Sequence, residues 1–321
     1  MAGSRKLAYT VGALVVVAAA AWFGGNYYAK TQVEEKLNAY LVENGMQDNV
    51  TWGSLDATIL GNASLHDVKI TRKDDPARFF TIKNLKVHKL QQDAGQQHYD
   101  FEFAGLADDS GNSPFLALLK DKAGELGYDK LPLLDGRMKG MQDEKQDAAD
   151  VDLDLKQPEV GNLKMVMKLS QIAELVKASR TQSEELQSNP LALMGALSSL
   201  TIHEMSMTFD DAGLMPRVVK VQQGVAPVDG KPNEQQLQAF EARLAKSESD
   251  CLVQAPAQGI ANAEDACKSV SRFMKNDAGR LMVSVSPNPP LQLMTFVMQT
   301  QMGGQAAIAK AVQQLNLKIS N

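Results

Sequence analysis

The pattern of apolar and polar positions divides the chain into one continuous apolar run and a series of shorter, periodic segments. The run covers residues 7–25 and contains no charged side chain. As a helix it would be about 28 Å long, close to the hydrocarbon thickness of a bilayer. Trp22, Phe23, Tyr27 and Tyr28 cluster at its C-terminal end, where aromatic rings favour the headgroup layer. Residues 7–25 are therefore predicted to form a transmembrane anchor.

The basic residues in front of this run predict its orientation. Arg5 and Lys6 place residues 1–6 in the cytoplasm and the chain after Tyr28 on the other side of the membrane. A cleaved signal peptide is the alternative, with the small residues at 18–21 as the cleavage site. Both interpretations export the bulk of the chain.

Beyond the anchor, an amphipathic helix is predicted over residues 31–45, and its apolar stripe has two possible partners, the bilayer surface or the protein's own domain. The period then changes to that of strands separated by short turns, which is typical of an antiparallel meander. The alternation slips at His66-Asp67, at Lys83-Asn84 and again between Ile202 and Met205. A β-bulge or a strand entry would produce such a slip. The predicted strands of the meander are residues 51–60, 64–71, 79–90 and 97–106.

Residues 136–150 lack an apolar rhythm and are mostly charged or polar, so they are predicted to be an exposed connector. The connector separates an N-terminal α+β region with the meander, residues 26–135, from a C-terminal α+β region, residues 151–321. The latter includes a helix over 233–247 with a capping box, a strand over 281–285 that prolines end as at a sheet edge, and two closing helices. The predicted fold class is thus α+β: an N-terminal transmembrane helix followed by a strand-rich antiparallel meander with packed helices.

The only two cysteines, Cys251 and Cys267, lie in the exported part of the chain. In an oxidising compartment such a pair most simply forms a disulfide, and the spacing differs from the Cys-x-x-Cys of redox-active pairs. We therefore predict a structural Cys251–Cys267 bridge that closes a loop. In the chain-entropy description it would stabilise the fold by about 3 kcal/mol.

Composition and charge narrow the functions that fit. The net charge is −5 and the isoelectric point is about 5.5, which argues against nucleic acid as a partner, because phosphate binding needs a concentrated basic face. The densest basic cluster (Lys83, Lys86, His88 and Lys89) alternates with apolar residues and is interpreted as the solvated face of a strand.

No catalytic, cofactor-binding or metal-binding residues are predicted. The histidines His66, His88, His98 and His203 fall on separate strands at spacings unlike those of zinc motifs. The known nucleophile, zinc-protease and phosphate-loop motifs do not occur. The carboxylate pairs Asp74-Asp75, Asp108-Asp109 and Asp210-Asp211 each lie beside turn residues, which explains them without acid–base chemistry. The chain is accordingly expected not to be an enzyme and to need no cofactor.

Fifteen methionines are many for a chain of this length. Several lie on predicted apolar faces, and methionine is a flexible filler of irregular apolar space. Two roles stay open for them: packing a closed core, or lining a deformable groove for acyl chains. These methionines are Met165, Met167, Met205, Met207, Met294, Met298 and Met302.

Residues 60–70 (LGNASLHDVKI) and 82–87 (IKNLKV) resemble the opening of exported bacterial envelope proteins of the AsmA-like and YdgA-like kind, and residues 209–214 (FDDAGL) are similar to a strand and turn of the YdgA-like group. The resemblance implies a single-pass bacterial inner-membrane protein with a strand-rich periplasmic part. It further implies a role in lipid homeostasis or transport at the envelope, with no catalytic residues to carry over.

The expected function is therefore that of a membrane-anchored, non-enzymatic envelope protein that binds lipid or lipid-like ligands. Its expected partners are the bilayer, through the N-terminal helix, and such a ligand. The alternative is a scaffold or assembly factor that recognises another envelope protein through a sheet edge or through the charged helix near Asn233. A hydrolase with an unusual site is a third hypothesis.

Overall fold

The computed structural model describes residues 34–35, 37–39, 41–42, 47–57, 63–71, 75, 77–93, 95–114, 122–176, 194–195, 197–260, 262–302 and 304–321. The predicted anchor at 7–25 lies outside these residues. Within them, no helix combines the length and the hydropathy that a membrane crossing requires.

Seven antiparallel strands belong to the first of two compact units. From β3 to β7 each strand pairs with the next one along the chain, while β1 and β2 both pair with β3. The antiparallel meander predicted for the N-terminal region is therefore confirmed. The strands are β1 (Val50–Thr51), β2 (Ser54–Ala57), β3 (Ala63–Thr71), β4 (Phe79–Asp93), β5 (Gln96–Asp108), β6 (Leu134–Asp143) and β7 (Ala148–Gln157).

The second unit combines strands with helices. Its sheet has the antiparallel order β8-β9-β10-β12, and β11 pairs with the start of β9. The fold is thus α+β, with a large antiparallel sheet and several helices, as predicted. The elements are β8 (Gly161–Ser170), β9 (Thr201–Asp211), α1 (Leu214–Gln222), α2 (Glu234–Ala257), α3 (Ala263–Met274), β10 (Arg280–Val285), β11 (Leu291–Gln292), α4 (Leu293–Met302), α5 (Gly304–Leu315) and β12 (Lys318–Ser320).

Two rows of apolar side chains cross β3, β4 and β5 and form the core of the first unit. In each strand the two inward residues are three positions apart instead of two, and all six are at most 5% exposed. Cross-strand pairing continues on both sides of the two residues that separate these inward positions in each strand. The rows are Leu65, Leu85 and Phe103, and Val68, Ile82 and Leu106.

The slip in apolar phase at His66-Asp67 and Lys83-Asn84 comes from an irregular row that crosses three strands. Asp67 in β3 and Gly105 in β5 have left-handed backbone, with φ of 51° and 72°. Between β3 and β4 and between β4 and β5 the register is the same on either side of this row, so no residue is inserted and the slips in β3 and β4 are not bulges. The register of β5 with β6 does shift at this row, between Phe103 and Leu106. Gly105 needs to be glycine, because a Cβ there would lie 2.7 Å from Lys83 Cγ.

A β-bulge does explain the third slip, in β9. Lys168 of β8 pairs with Glu204, whereas the next residue, Leu169, pairs with Ile202. His203 is therefore the extra residue of the bulge, and the prediction is confirmed at this position.

The predicted exposed connector at residues 136–150 is wrong, because β6 and β7 form an antiparallel hairpin through it. Gly136 and Gly140 contribute no apolar side chain to β6, so its sequence shows no rhythm. Phe103 and Tyr99 of β5 are their cross-strand partners and lie over them. A Cβ at Gly136 would lie 2.6 Å from Phe103 Cε1. The aromatic rings of one strand thus occupy the inward side of its neighbour.

Other local predictions have mixed outcomes. Asn233 caps α2 with Gln236 in the predicted capping box, although α2 continues to Ala257 instead of ending at residue 247. The strand predicted to be a sheet edge, β10, pairs with both β9 and β12, so that prediction is wrong. In the predicted amphipathic helix, Leu37 and Leu41 of the apolar stripe are buried against protein, while Val33 and Tyr40 lie outside the described residues.

Candidate functional site

One side of the second unit's sheet is lined by apolar residues that cross-strand pairing brings together. Residues paired in register share a face of the sheet. Met165 of β8 pairs with Met207 of β9, which pairs with Val283 of β10. We name the whole set the Met-rich face. It consists of Leu163, Met165, Met167, Met205, Met207, Phe209, Leu281, Val283, Val285 and Ile319.

The Met-rich face is not closed. Val285 is buried, but the remaining members are at least partly exposed. Met207, in the central row, is 39% exposed. Of the two roles predicted for the methionines, filling a closed core does not fit Met207, and lining an open apolar surface does. Outside this face, Met294 is half-buried and Met298 is 51% exposed, while the side chain of Met302 lies outside the described residues.

Helix α3 covers one end of the face. Phe273 of α3 meets Phe209 edge-on, with ring centroids 6.0 Å apart and ring planes at 84°. Such T-shaped pairs add about 0.5–1.5 kcal/mol beyond their area. Phe273 is buried and α3 also packs against β10 and β12. The Phe209 end is therefore held by the helix, whereas Met207 in the central row stays accessible.

The structure places the sulfur atoms of Cys251 and Cys267 at bonding distance, with their Cα atoms 5.8 Å apart. This agrees with the predicted disulfide, but its setting differs from the predicted loop, since Cys251 lies in α2 and Cys267 in α3. One turn along, the Ser271 hydroxyl donates to Glu248 Oε2 at 2.6 Å. Two links thus join α2 to the helix that covers the Met-rich face.

The opposite side of this sheet is polar. Lys168 Nζ lies 2.6 Å from Glu204 Oε2, and the Ser170 hydroxyl lies 2.7 Å from His203 Nε2. Val166, which is 36% exposed, is an apolar residue on this side and pairs with Ser206 of β9. The sheet is therefore amphipathic, and Val166 offers a position on its polar side for control substitutions.

A charged surface covers one side of the first unit's sheet. Arg137 donates to both carboxylate oxygens of Asp100, at 2.8 and 2.7 Å, and His88 Nε2 lies 2.9 Å from Glu102 Oε2. Burial acts to raise the pKa of Asp100, but the hydrogen bond and charge of Arg137 outweigh it and the pKa is lowered. The hydrogen bond from His88 lowers the pKa of Glu102.

The residues of the predicted basic cluster, Lys83, Lys86, His88 and Lys89, are all exposed, in agreement with the predicted solvated strand face. The two pairs lie near solvent and form a network of surface ion pairs.

Asp108 and Asp211 have the structural role predicted for the turn carboxylates, and Asp74 lies outside the described residues. Asp108 Oδ1 accepts from the backbone N–H groups of Ser110 and Asn112. Asp211 accepts from the N–H groups of Gly213 and Met215, at the start of α1. Among the described residues, no group of three or more His, Cys, Asp or Glu side chains has the geometry of a metal site.

The sequence model of a protein family whose description is "Uncharacterized protein" matches residues 153–321, more than half of the chain. The chain belongs to this family. The matched segment contains every strand that forms the Met-rich face, together with both cysteines. A search of curated proteins gives no match.

Sequence reasoning found the methionines of this face but not their neighbours. Leu281, Val283 and Ile319 reach the face only through pairing of β9, β10 and β12, which are far apart along the chain. The period-two alternation in β10 was the available signal, and it does not identify the partner strand.

Proposed function

We propose that this protein is a membrane-anchored, non-enzymatic envelope protein whose Met-rich face binds lipid or lipid-like ligands. In this proposal residues 7–25 cross a bacterial inner membrane once, and the bulk of the chain lies in the periplasm. The observation that carries the proposal is the 39% exposure of Met207 in the middle of an apolar sheet face.

The chemistry of the face favours an acyl chain. Each methylene group removed from water contributes about 0.8 kcal/mol, so a short stretch of chain along several strands gains appreciable free energy. Methionine has three rotatable bonds and a polarisable thioether, which lets Met165, Met167, Met205 and Met207 adapt to chains of different length and bend. A contiguous apolar surface that is partly exposed is typical of a binding surface.

The polar and apolar side chains of the described residues fit a binding protein better than an enzyme. The carboxylates at turns accept backbone hydrogen bonds, and the charged groups of the first unit pair with one another. The Met-rich face itself contains no nucleophile, acid or base. It can hold an apolar molecule without chemically changing it.

Native mass spectrometry of the full chain, purified from membranes in detergent, tests the ligand. We expect adducts whose masses correspond to phospholipids or free acyl chains and which are lost when an excess of short-chain detergent competes. Protein that carries no adduct, and that takes up no added fluorescent fatty acid, would count against the proposal.

Topology is tested separately with reporter fusions after Leu55. An alkaline phosphatase fusion is expected to be active, and a fluorescent protein that matures only in the cytoplasm is expected to remain dark. An inactive phosphatase together with a bright cytoplasmic fluorophore would contradict the anchor, the compartment and the envelope role.

A scaffold role is the second candidate, favoured by the surface of α2. Most of this helix is exposed, including Val253 at 75% and Leu252 at 38%. Crosslinking in intact cells from a photoreactive residue at Val253 distinguishes the two functions. A single dominant protein adduct there, with no lipid at Met207, would favour the scaffold.

A further inference from the structure

Helix α4 lies in an unusually uncharged part of the chain. No Asp, Glu, Lys, Arg or His occurs between Arg280 and Lys310. For comparison, charged residues make up 22% of the whole sequence. A segment of this length without charge is compatible with contact to hydrocarbon, since a charged side chain there is expensive.

The apolar side chains of α4 are not taken into a core. None of the side chains over 293–300 is buried, and Met298 is 51% exposed. The neighbouring helix α5 is held more firmly, because Ala311 is fully buried. α4 packs against α5 and follows directly from β11. α4 and α5 thus form a helical hairpin that is fixed through α5. In this hairpin α4 exposes Phe296, Val297 and Met298 at least partly.

The hydroxyl groups of α4 have hydrogen-bond acceptors in the helix itself or in the adjoining β11. Thr300 Oγ1 donates to the carbonyl oxygens of Phe296 and Val297, at 3.1 and 2.9 Å. Thr295 Oγ1 donates to Gln292 Oε1 at 3.0 Å. A hydroxyl bonded to its own helix needs no water, which lowers the cost of transferring that surface to a lipid environment.

The uncharged segment has a cationic residue at each end. Arg280 precedes it and is paired with Asp210, and Lys310 follows it on α5 and is exposed. A cation next to an apolar segment, as Lys310 is, suits the anionic phosphates of a headgroup layer. At ten residues, α4 is about 15 Å long and too short to cross a hydrocarbon layer of about 30 Å.

We propose that α4 is an interfacial helix that inserts its exposed side, around Met298, into the surface of a phospholipid bilayer. The inference rests on the proposed membrane anchor, which keeps the folded part of the chain close to a bilayer. It adds a second membrane contact, distinct from the acyl-binding Met-rich face, and the helix lies in the plane of the interface.

The test uses the full chain reconstituted into vesicles of phosphatidylethanolamine and phosphatidylglycerol. A benzophenone amino acid replaces Met298 in one variant, Val253 in a second and Met207 in a third. Val253 is the control, because it is more exposed than Met298 but lies on the charged helix α2. After illumination, lipid adducts at Met298 are expected to exceed those at Val253 about fivefold or more, and to disappear in lipid-free detergent.

The outcomes separate this inference from the proposed function. Adducts at Met298 no more frequent than at Val253 would overturn it, even if Met207 captures lipid in detergent and so supports the Met-rich face. Adducts at Met298 without any at Met207 would support it while contradicting lipid binding at the Met-rich face. A chain that fails to float with the vesicles would overturn both the anchor and the interfacial helix.

Discussion

The guanidinium of Arg217 lies over the ring of Tyr128, with its Cζ atom 4.3 Å from the ring centroid. The same guanidinium donates to the carbonyl oxygens of Leu126 and Gly127, at 3.2 and 3.1 Å. The Tyr128 hydroxyl in turn donates to the carbonyl oxygen of Glu159 at 2.7 Å. These contacts therefore hold residues 122–129, which precede β6 in the chain, in place within the second unit.

Replacing Arg217 is expected to loosen this segment. Arg217→Ala removes the cation–π contact and two charge-assisted hydrogen bonds, and should lower the free energy of unfolding by about 1–3 kcal/mol. Arg217→Lys keeps the charge but not the planar pair of donors, so its loss should be smaller. Urea unfolding followed by circular dichroism measures both variants. Equal stability of the alanine variant and the parent would show that the stack contributes nothing.

Glycine at position 136 is expected to be required by the ring of Phe103. Gly136→Ala places a Cβ 2.6 Å from Phe103 Cε1 and 2.9 Å from Leu155 Cδ2, so the variant should lose about 1–3 kcal/mol through displacement of buried side chains. Gly279→Ala is the matched control, since a Cβ there meets nothing within 4 Å. Thermal unfolding of the two variants should separate them. A parent-like melting temperature for Gly136→Ala would contradict the close packing.

Gly136 and Gly140 show why the hairpin at residues 136–150 could not be predicted from the sequence. A strand is recognised by its own apolar alternation, but the inward side of β6 is filled by Phe103 and Tyr99 of β5. The information lies in the neighbouring strand, and a search along β6 alone does not find it.

Other features could be predicted because their causes are local. The phase slips at His66-Asp67 and Lys83-Asn84 are visible in the sequence, as is the capping box at Asn233. That the first two slips align with Gly105 in a single irregular row depends on register, which a single sequence does not give. For the same reason the methionines of the candidate site were identifiable, but the exposure of Met207 was not.

Removing the disulfide is expected to release α2 more than the rest of the fold. The double variant Cys251→Ala, Cys267→Ala should lose about 3 kcal/mol of stability. Within α2 only Phe240, Leu244 and Ala255 are buried, so little else holds this helix. Hydrogen exchange should therefore accelerate over Glu234–Ala257 before it does in β9. Unchanged protection of α2, with the bridge absent by mass spectrometry, would argue against this role.

Acid is expected to weaken the turn between β6 and β7 through Asp143. The side-chain hydrogen bond from Gln96 and the backbone N–H groups of Gln146 and Lys145 lower the pKa of this carboxyl group below its ordinary value of 3.8. A lowered folded-state pKa means that its stabilisation is present above pH 3.8 and is lost as the pH falls through the folded-state value.

Asp143→Asn tests this, because the amide oxygen can still accept the backbone hydrogen bonds but does not titrate. The free energy of unfolding should depend less on pH between 5 and 2 in the variant than in the parent, by urea titration at each pH. Asp109→Asn makes the same charge change at another turn and serves as the control. If the two variants and the parent all lose stability equally on acidification, Asp143 makes no special contribution.

Acyl-chain binding by the second unit's sheet is tested most directly by a charge at position 207. Binding of a fluorescent fatty acid to the full chain is measured for Met207→Glu, for Met207→Leu and for Val166→Glu on the opposite face. We expect the glutamate at 207 to weaken binding about tenfold or more, because a carboxylate on an apolar surface must stay hydrated. The leucine variant and Val166→Glu should bind within about twofold of the parent. Equal binding by all four proteins, or equal loss from both glutamates, would contradict the account.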